Sequence, residues 1–275
     1  VVTSAALSSI LPPESIELLR SMPYDDAMEL ACRADLGVWS ERKRGFTNSA
    51  LHWEWARLAQ TRSRLAVCAP REHSKTETFT VNQIAWRVIY TPGLWCFVFA
   101  QTGDQAKMFK ERIDQAVEQA APWMVKGEHG MNTSATVYAN WSKVQVAGAG
   151  KSMRGVHPDV IVGDDVLEEG NCLTSLQRKR IERWWFGTIG GMSHPRTSRA
   201  LGSLSVGSDD TGGHAGSSQV MVEYPGSVVH LVGTPFHQQD LLMNMRENPL
   251  YEFRRYSAEF GVSDLVPGTL AVEVN

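Results

Sequence analysis

From Arg64 onward, short apolar runs alternate with longer amphipathic ones. "RLAVCA" reads as a buried strand, "SKTETFTVNQIAWRVIY" as the helix after it, and "LWCFVFA" as a second strand. "TGDQAKMFKERIDQAVEQA" has the clearest helical period. Thr102 and Gln105 give a capping-box start, and Phe109, Ile113 and Val117 recur at i, i+4 and i+8. "KVQVAG", "DVIVGD" and "SVVHLVGT" are further strands, with "TSLQRKRIERWWFGTI" a helix between the last two. "QQDLLMNMREN" and "YEFRRYS" close the series. Strands alternating with helices predict βαβ units, hence an α/β fold with a mostly parallel sheet flanked by helices.

Residues 1–60 read instead as a helical N-terminal segment. Ser15 caps "IELLRSM", Pro23 breaks that run, "YDDAMELACRAD" resumes it, and "NSALHWEWARLAQ" comes next. Residues 61–260 form the expected core, interrupted at about 187–227 by a stretch rich in Gly and Ser, read as a long functional loop. Residues 261–275, "GVSDLVPGTLAVEVN", show no regular pattern and read as the start of a linker.

Composition narrows the class without choosing a function. The formal net charge is −3, so any contact with nucleic acid has to come from local basic patches. Cys32, Cys68, Cys96 and Cys172 lie far apart, which reads as reduced, buried thiols. No apolar stretch approaches the roughly 20 residues that span a bilayer, and the first residues lack a basic start before their apolar part. A soluble cytoplasmic protein is expected. His52, His73, His157, His230 and His237 have no metal-ligand spacing.

The candidate chemistry begins at "VCAPREHSKTE". A strand, a tight turn and a helix opening on Lys75-Thr76 is the context of a phosphate-binding loop. Lys75 would reach the β and γ oxygens there and the Thr76 hydroxyl would ligate Mg²⁺. The usual pattern, G-x-x-x-x-G-K-(S/T), has glycines where Ala69 and Ser74 stand here. On the loop alone, a plain solvated helix N-terminus is an equal reading. Arg71 adds a second cation, for the γ-phosphate or for the open surface. "PDVIVGDDVLEEGN" ends a β-branched strand in Asp164-Asp165. Adjacent to the phosphate-loop strand, it would deliver Asp164 to the metal and Asp165 to the attacking water, with Glu168 and Glu169 as alternatives. An ordinary turn after a strand is the competing reading. Lys151 and Arg154 precede that strand, where an arginine can serve a neighbouring subunit's γ-phosphate or make a surface ion pair. Gly233-Thr234-Pro235 ends a further strand, as a sensor of hydrolysis or as a turn.

Taken together, "APREHSKTE", "VAGAGKSMRGVHPDVIVGDDV", "RKRIERWWFGTI" and "VVHLVGTPFHQQDLL" resemble the ATPase domain of the large terminase subunit of tailed bacteriophages, over roughly residues 45 to 260. That family has an arginine-containing deviant phosphate loop, paired carboxylates, a helix with a Trp-Phe pair (Trp185-Phe186) and a strand ending in G-T-x-x-H (Gly233, Thr234, His237). The resemblance implies a P-loop NTPase fold of the RecA-like class, and an ATP-hydrolysing motor that moves double-stranded DNA into a capsid. It implies ATP and Mg²⁺ as cofactors, with nucleotide contacts along Pro70, Arg71, Glu72, His73, Ser74, Lys75, Thr76 and Glu77. Thr76 and Asp164 would hold the metal, with Asp165, Arg154 (in trans) and Arg71 as catalytic groups and Gly233-Thr234 as the coupling motif. "FTNSALHWEWARL" would border the adenine. It further implies a portal protein and a small terminase subunit as partners, the host cytoplasm as location, and a homo-oligomeric ring on the capsid, with a monomer in isolation. Nuclease activity is not expected, because the acidic cluster of that family's nuclease domain does not come after the last strand. Arg178, Lys179, Arg180 and Arg183 share a helix and fit either a DNA backbone or a solvated face, as do Arg196 and Arg199. Two alternatives stand beside the motor. One is a helicase-like P-loop ATPase, and the other is a nucleotide-binding scaffold without hydrolysis.

Overall fold

A computed structural model describes residues 21–125, 131–151, 153, 155–193, 197–205, 217–224, 226–256 and 272–274. The Ser15 cap, Arg154 and Arg196 therefore lie outside the described residues, as does the Arg199 side chain.

Among the described residues, three helices come first: α1 (Tyr24–Ala34), α2 (Leu36–Arg44) and α3 (Ala50–Thr61). Asp35 starts α2 by accepting the Val38 N–H at 2.8 Å, and Gly45, at φ 74°, ends it in the left-handed conformation that glycine takes without strain. Ser49 and His52 close a reciprocal cap on α3. Trp39 and Trp55 from these helices are fully buried in one core with Leu65 and Val67. The change near residue 60 is thus a change of element type within one core.

Among the described residues, the main sheet has nine strands in the order β11-β10-β1-β9-β6-β2-β5-β4-β3. They are β1 (Arg64–Cys68), β2 (Trp95–Ala100), β3 (Met131–Asn132), β4 (Ala135–Val137), β5 (Lys143–Gly148), β6 (Val160–Asp164), β9 (Val228–Gly233), β10 (Glu252–Tyr256) and β11 (Val272–Val274). The six strands from β10 to β5 run parallel, and antiparallel pairing is confined to the two edges. This is the expected α/β architecture, a mostly parallel sheet flanked by helices. Helices α4 (Gln83–Tyr90) and α5 (Gly103–Ala120) cover one face with α1–α3, and a π-helical turn at Glu77–Asn82 leads into α4. The short α6 (Glu169–Cys172), α7 (Ser175–Trp184), α8 (Gly190–Met192) and α9 (Leu241–Asn244) lie toward the other face. The two-residue period of β1 divides it between them, with Leu65 and Val67 in one cluster and Ala66 and Cys68 in the other.

Three expectations are corrected here. The acidic strand β6 is not adjacent to the phosphate-loop strand β1, because β9 lies between them and pairs with both. Apolar runs buried on both faces carry no order signal, so neighbours were not readable from the sequence. The tail is not without pattern, since Val272–Val274 forms β11 and pairs antiparallel with β10. The Gly/Ser-rich stretch is not simply a loop. It holds an antiparallel ribbon of β7 (Thr197–Ser205) and β8 (Ser217–Tyr224), with a register shift between Ala200 and Ser203.

Gly163 in β6 explains how the Trp-Phe helix seats. A Cβ there would lie 2.5 Å from the Trp185 ring, so the fully buried indole fits only over glycine, while Phe186 remains 42% exposed.

Candidate active site

Register brings the site together. Cys68 stands opposite Gly233, and Val232 opposite Asp164, so β1, β9 and β6 end level at one edge of the sheet. The segments leaving the three strands therefore meet at that edge: the loop 69–76, the turn from Thr234, and Asp165.

Ala69 needs no glycine. It continues β1, donating its N–H to the Gly233 carbonyl at 3.0 Å, and has no positive φ. Ser74 takes the conformation that a second glycine would take, at φ 58°, and Glu72 is also left-handed at φ 66°. Side chains with a Cβ are strained there by roughly 1 kcal/mol or more. Ser74→Gly is therefore expected to raise stability by about 1 kcal/mol, read as an upward shift of the denaturant midpoint. An unchanged midpoint would mean that the loop holds Ser74 without strain.

Lys75 is only 6% exposed, and its ammonium donates to the Thr234 hydroxyl at 3.2 Å and lies 3.5 Å from Asp165 Oδ2. Thr234 also donates from its hydroxyl to the Ala69 carbonyl at 3.1 Å, and its N–H reaches Asp165 Oδ1 at 3.3 Å. One threonine thus joins the phosphate loop, the lysine and the second aspartate. Asp165 itself sits at φ 46°, held by its N–H to the Val232 carbonyl at 2.9 Å. A Cβ on Gly233 would come within 3.2 Å of its carboxylate, so the small residue before Thr234 leaves room for that turn.

Asp164 is fully buried. Its Oδ2 accepts the Thr80 hydroxyl at 2.6 Å, whereas Oδ1 is buried with no hydrogen-bond partner. Burial, and then the charge of Asp165, raise its pKa to about 7, against the pull of Thr80, Thr76 and Lys75. An orphaned buried carboxylate oxygen with the Thr76 hydroxyl near it is a hard-oxygen donor set that fits Mg²⁺. Among the described residues no group of three or more His, Cys, Asp or Glu is arranged to hold a metal ion.

Two buried groups give the fold opposed pH dependences. His230 on β9 is fully buried between the Arg62 carbonyl (2.8 Å) and the Gln83 amide (3.1 Å), and burial lowers its pKa to about 3. The folded state keeps it neutral where the unfolded chain binds a proton, so its contribution is lost as pH falls from about 6.5 to 3. Asp164 is the reverse case: its contribution is present at acid pH and lost as pH rises toward 7. His230→Gln should therefore gain on the wild type between pH 7 and pH 4, by up to ~1.4 kcal/mol per pH unit. Denaturant melts of both proteins at several pH values check this, and a constant difference would mean that His230 titrates normally.

The turn after Thr234 is built on Asp240, whose buried carboxylate accepts the N–H groups of Phe236 (2.8 Å), His237 (3.1 Å) and Met243 (2.9 Å). Phe236 is thereby presented to Arg71, whose guanidinium lies 5.7 Å over its ring. Between these elements opens a cleft of about 560 Å³, in the range of small-ligand sites, lined by Phe46, Arg71, Glu72, Ser74, Lys75, Thr76, Glu77, Gln101, Gln105, Arg112, Asp165, Leu167, Thr234 and Phe236.

No protein-family model matches the chain, and neither does any curated protein. Among solved structures it is similar to the Thermus phage P74-26 large terminase ATPase domain, at 15% identity and a TM-score of 0.43, over 71% of this chain and 68% of that one. A point mutant of the same domain is similar at 14% identity and a TM-score of 0.40. At that level of likeness the site's own geometry has to carry any functional reading.

Of the residues singled out in the sequence, Arg71, Glu72, Ser74, Lys75, Thr76, Glu77, Asp165 and Thr234 line the cleft. Pro70 and His73 do not. The His73 ring nitrogen donates to the Arg71 carbonyl at 2.7 Å, and the His73 carbonyl lies 3.3 Å from His52 on α3, so this residue braces the loop. Glu168 caps α6 and accepts from the Gln101 amide, while Glu169 is exposed, so of these three candidates Asp165 is the one that lines the cleft. On α7, Arg178 donates to the Cys172 and Leu173 carbonyls at 2.8 and 3.0 Å, while Lys179, Arg180 and Arg183 are exposed. Arg178 and Lys179 line a second cleft of about 870 Å³, which shares Phe236 with the first. All four cysteines are buried. Among the described residues, no helix is long and apolar enough to cross a membrane.

Sequence reading missed Thr80, Phe236 and Arg112. Thr80 was findable, since it stands one helical turn after Thr76. Phe236 and Arg112 offered no local signal.

Proposed function

We propose that this chain binds Mg²⁺·ATP in the first cleft and hydrolyses it, as the motor domain of a machine that moves double-stranded DNA. The observation that carries the reading is the meeting, at three level strand ends, of a buried lysine, a hydroxyl, an exposed-edge aspartate and a buried aspartate with an unpartnered oxygen. Lys75 would leave Asp165 for the β and γ oxygens, and Arg71 would leave Phe236 to meet the same charge. Thr76 and Asp164 would hold the metal, which when bound neutralises charge on the transferring phosphoryl group. Asp165, freed of Lys75, orients the attacking water and takes its proton as the oxygen bonds to the γ-phosphorus. The bond to the bridging oxygen breaks and ADP leaves. Thr234, bonded to Lys75, Asp165 and Ala69 together, is the group whose contacts change when the γ-phosphate departs.

Support for DNA comes from the exposed Lys179, Arg180 and Arg183 on α7, which suit a phosphate backbone read without bases. The packaging setting, the subunit ring and the trans role of Arg154 rest on the motif resemblance alone. Phosphate release from ATP, measured with and without Mg²⁺ and duplex DNA, tests the proposal. Release that needs Mg²⁺ and rises with duplex supports it. No release at any protein concentration would leave a nucleotide-binding scaffold.

A further inference from the structure

Glu77 places a carboxylate one residue beyond Thr76, in the first turn of the helix that would cradle phosphate. Unneutralised, it would repel that ligand. Two arginines meet it: Arg44, at 2.9 Å from the end of α2, and Arg112 from the middle of α5. The cluster therefore carries one positive charge more than Glu77 requires.

The two arginines are not equivalent. The Arg44 side chain is 14% exposed and is held on every side: by Glu77, by the Asn82 amide oxygen at 3.2 Å, by Gln119, and against the Phe46 ring at 5.7 Å. It fixes α2 to the Glu77–Asn82 turn and to α5 and has no freedom to leave. The Arg112 side chain is 43% exposed, has Glu77 as its described hydrogen-bond partner, and lines the same cleft as Lys75 and Thr76. Glu77 can release Arg112 and stay neutralised by Arg44, so the exchange leaves no buried charge uncompensated. A guanidinium offers a planar fork of donors that matches phosphate oxygens as well as it matches a carboxylate.

We infer that Arg112 is a further phosphate-binding residue, parked on Glu77 in the free protein and transferred to the polyphosphate of a bound nucleotide. This rests on the nucleotide reading above and adds to it a third cation, supplied in cis from α5 alongside Lys75 and Arg71. Glu77 acts as a positioning residue that keeps Arg112 at the cleft wall until ligand arrives.

Calorimetric titration of wild type, Arg112→Ala and Arg112→Gln with Mg²⁺·ATP and with Mg²⁺·tripolyphosphate tests it, alongside a thermal melt of each protein. The expected result is a loss of about tenfold in affinity for both ligands, near the lower end of one charge-assisted contact because Arg112 is partly exposed to water, with melts close to wild type. Arg44→Ala is expected to lower the melt instead, as the fixed member of the cluster. Wild-type affinities in both Arg112 variants would overturn the inference and leave the pair as a helix tie. Loss for ATP with tripolyphosphate unaffected would overturn the phosphate assignment and place Arg112 against the nucleoside. If the wild-type chain binds neither ligand, the nucleotide reading fails and this inference falls with it.

Discussion

Lys75→Ala is expected to weaken Mg²⁺·ATP binding at least 100-fold, which places it beyond detection by titration at ordinary protein concentrations. Lys75 is the cation buried at the floor of the cleft, and its ammonium is already desolvated and aimed, 3.2 Å from Thr234 and 3.5 Å from Asp165. A preorganised charge loses little on taking a phosphate oxygen in exchange for a carboxylate, so most of its interaction appears as affinity. One charge-assisted contact of this kind is worth about 1.5–3 kcal/mol, and 100-fold corresponds to about 2.7 kcal/mol. Stability should change little, because the Asp165 side chain is 32% exposed and water can solvate it once the lysine is gone. A thermal melt separates the two effects. Retained binding in a folded Lys75→Ala protein would show that the loop does not bind phosphate and that the proposed function is wrong.

Asp165→Asn should do the opposite: binding survives and turnover falls by about 10²–10³-fold. The substitution is well matched to its site. Asparagine is among the few residues that tolerate the left-handed backbone found here at φ 46°, and its amide oxygen can still accept the Thr234 N–H. What it cannot do is take a proton from water. It also releases Lys75 from its ion pair, so ATP affinity is expected to stay level or to rise. Single-turnover phosphate release, set beside a binding titration, gives both numbers. Wild-type turnover in Asp165→Asn would move the role to another carboxylate, and Glu168, whose side chain accepts from Gln101, would be the next to replace.

The two substitutions separate binding from chemistry. Lys75→Ala asks whether a loop lacking both usual glycines still binds phosphate. The structure offers a reason that it can: Ala69 follows β1 and extends its ladder to Gly233 without a positive φ, and Ser74 is held in the glycine-like conformation. Asp165→Asn asks whether the second carboxylate works on water or merely holds Lys75 until a ligand comes.

Much of the candidate site was legible along the chain because its groups lie at element boundaries, where residue type and backbone conformation are tightly linked. A lysine-threonine pair opening a helix after a strand, two aspartates ending a strand, and Gly-Thr-Pro ending another are each governed by local rules of strand ends and helix starts. The π-helical turn at Glu77–Asn82 lies inside a segment read as an ordinary helix, and the β3–β4 strands ahead of β5 were too short to show a period. Helix and strand periods report which face of an element is buried, and say nothing of which element covers it.

That division also separates what the sequence by itself determined from what only the tertiary structure decided. The alternation of strands and helices, the α/β class and the identities of Lys75, Thr76, Asp164, Asp165 and Thr234 as candidates were set by local pattern. The insertion of β9 between β1 and β6 was not, and neither was the approach of Arg44 and Arg112 to Glu77 from two other helices. The unpartnered oxygen of Asp164 likewise appears only once Thr80, Thr76 and the neighbouring strands have closed around it. Strand order and charge pairing across helices depend on contacts between residues far apart in the chain. No local propensity encodes them, because their free energy exists only when both partners have been brought together and shielded from water.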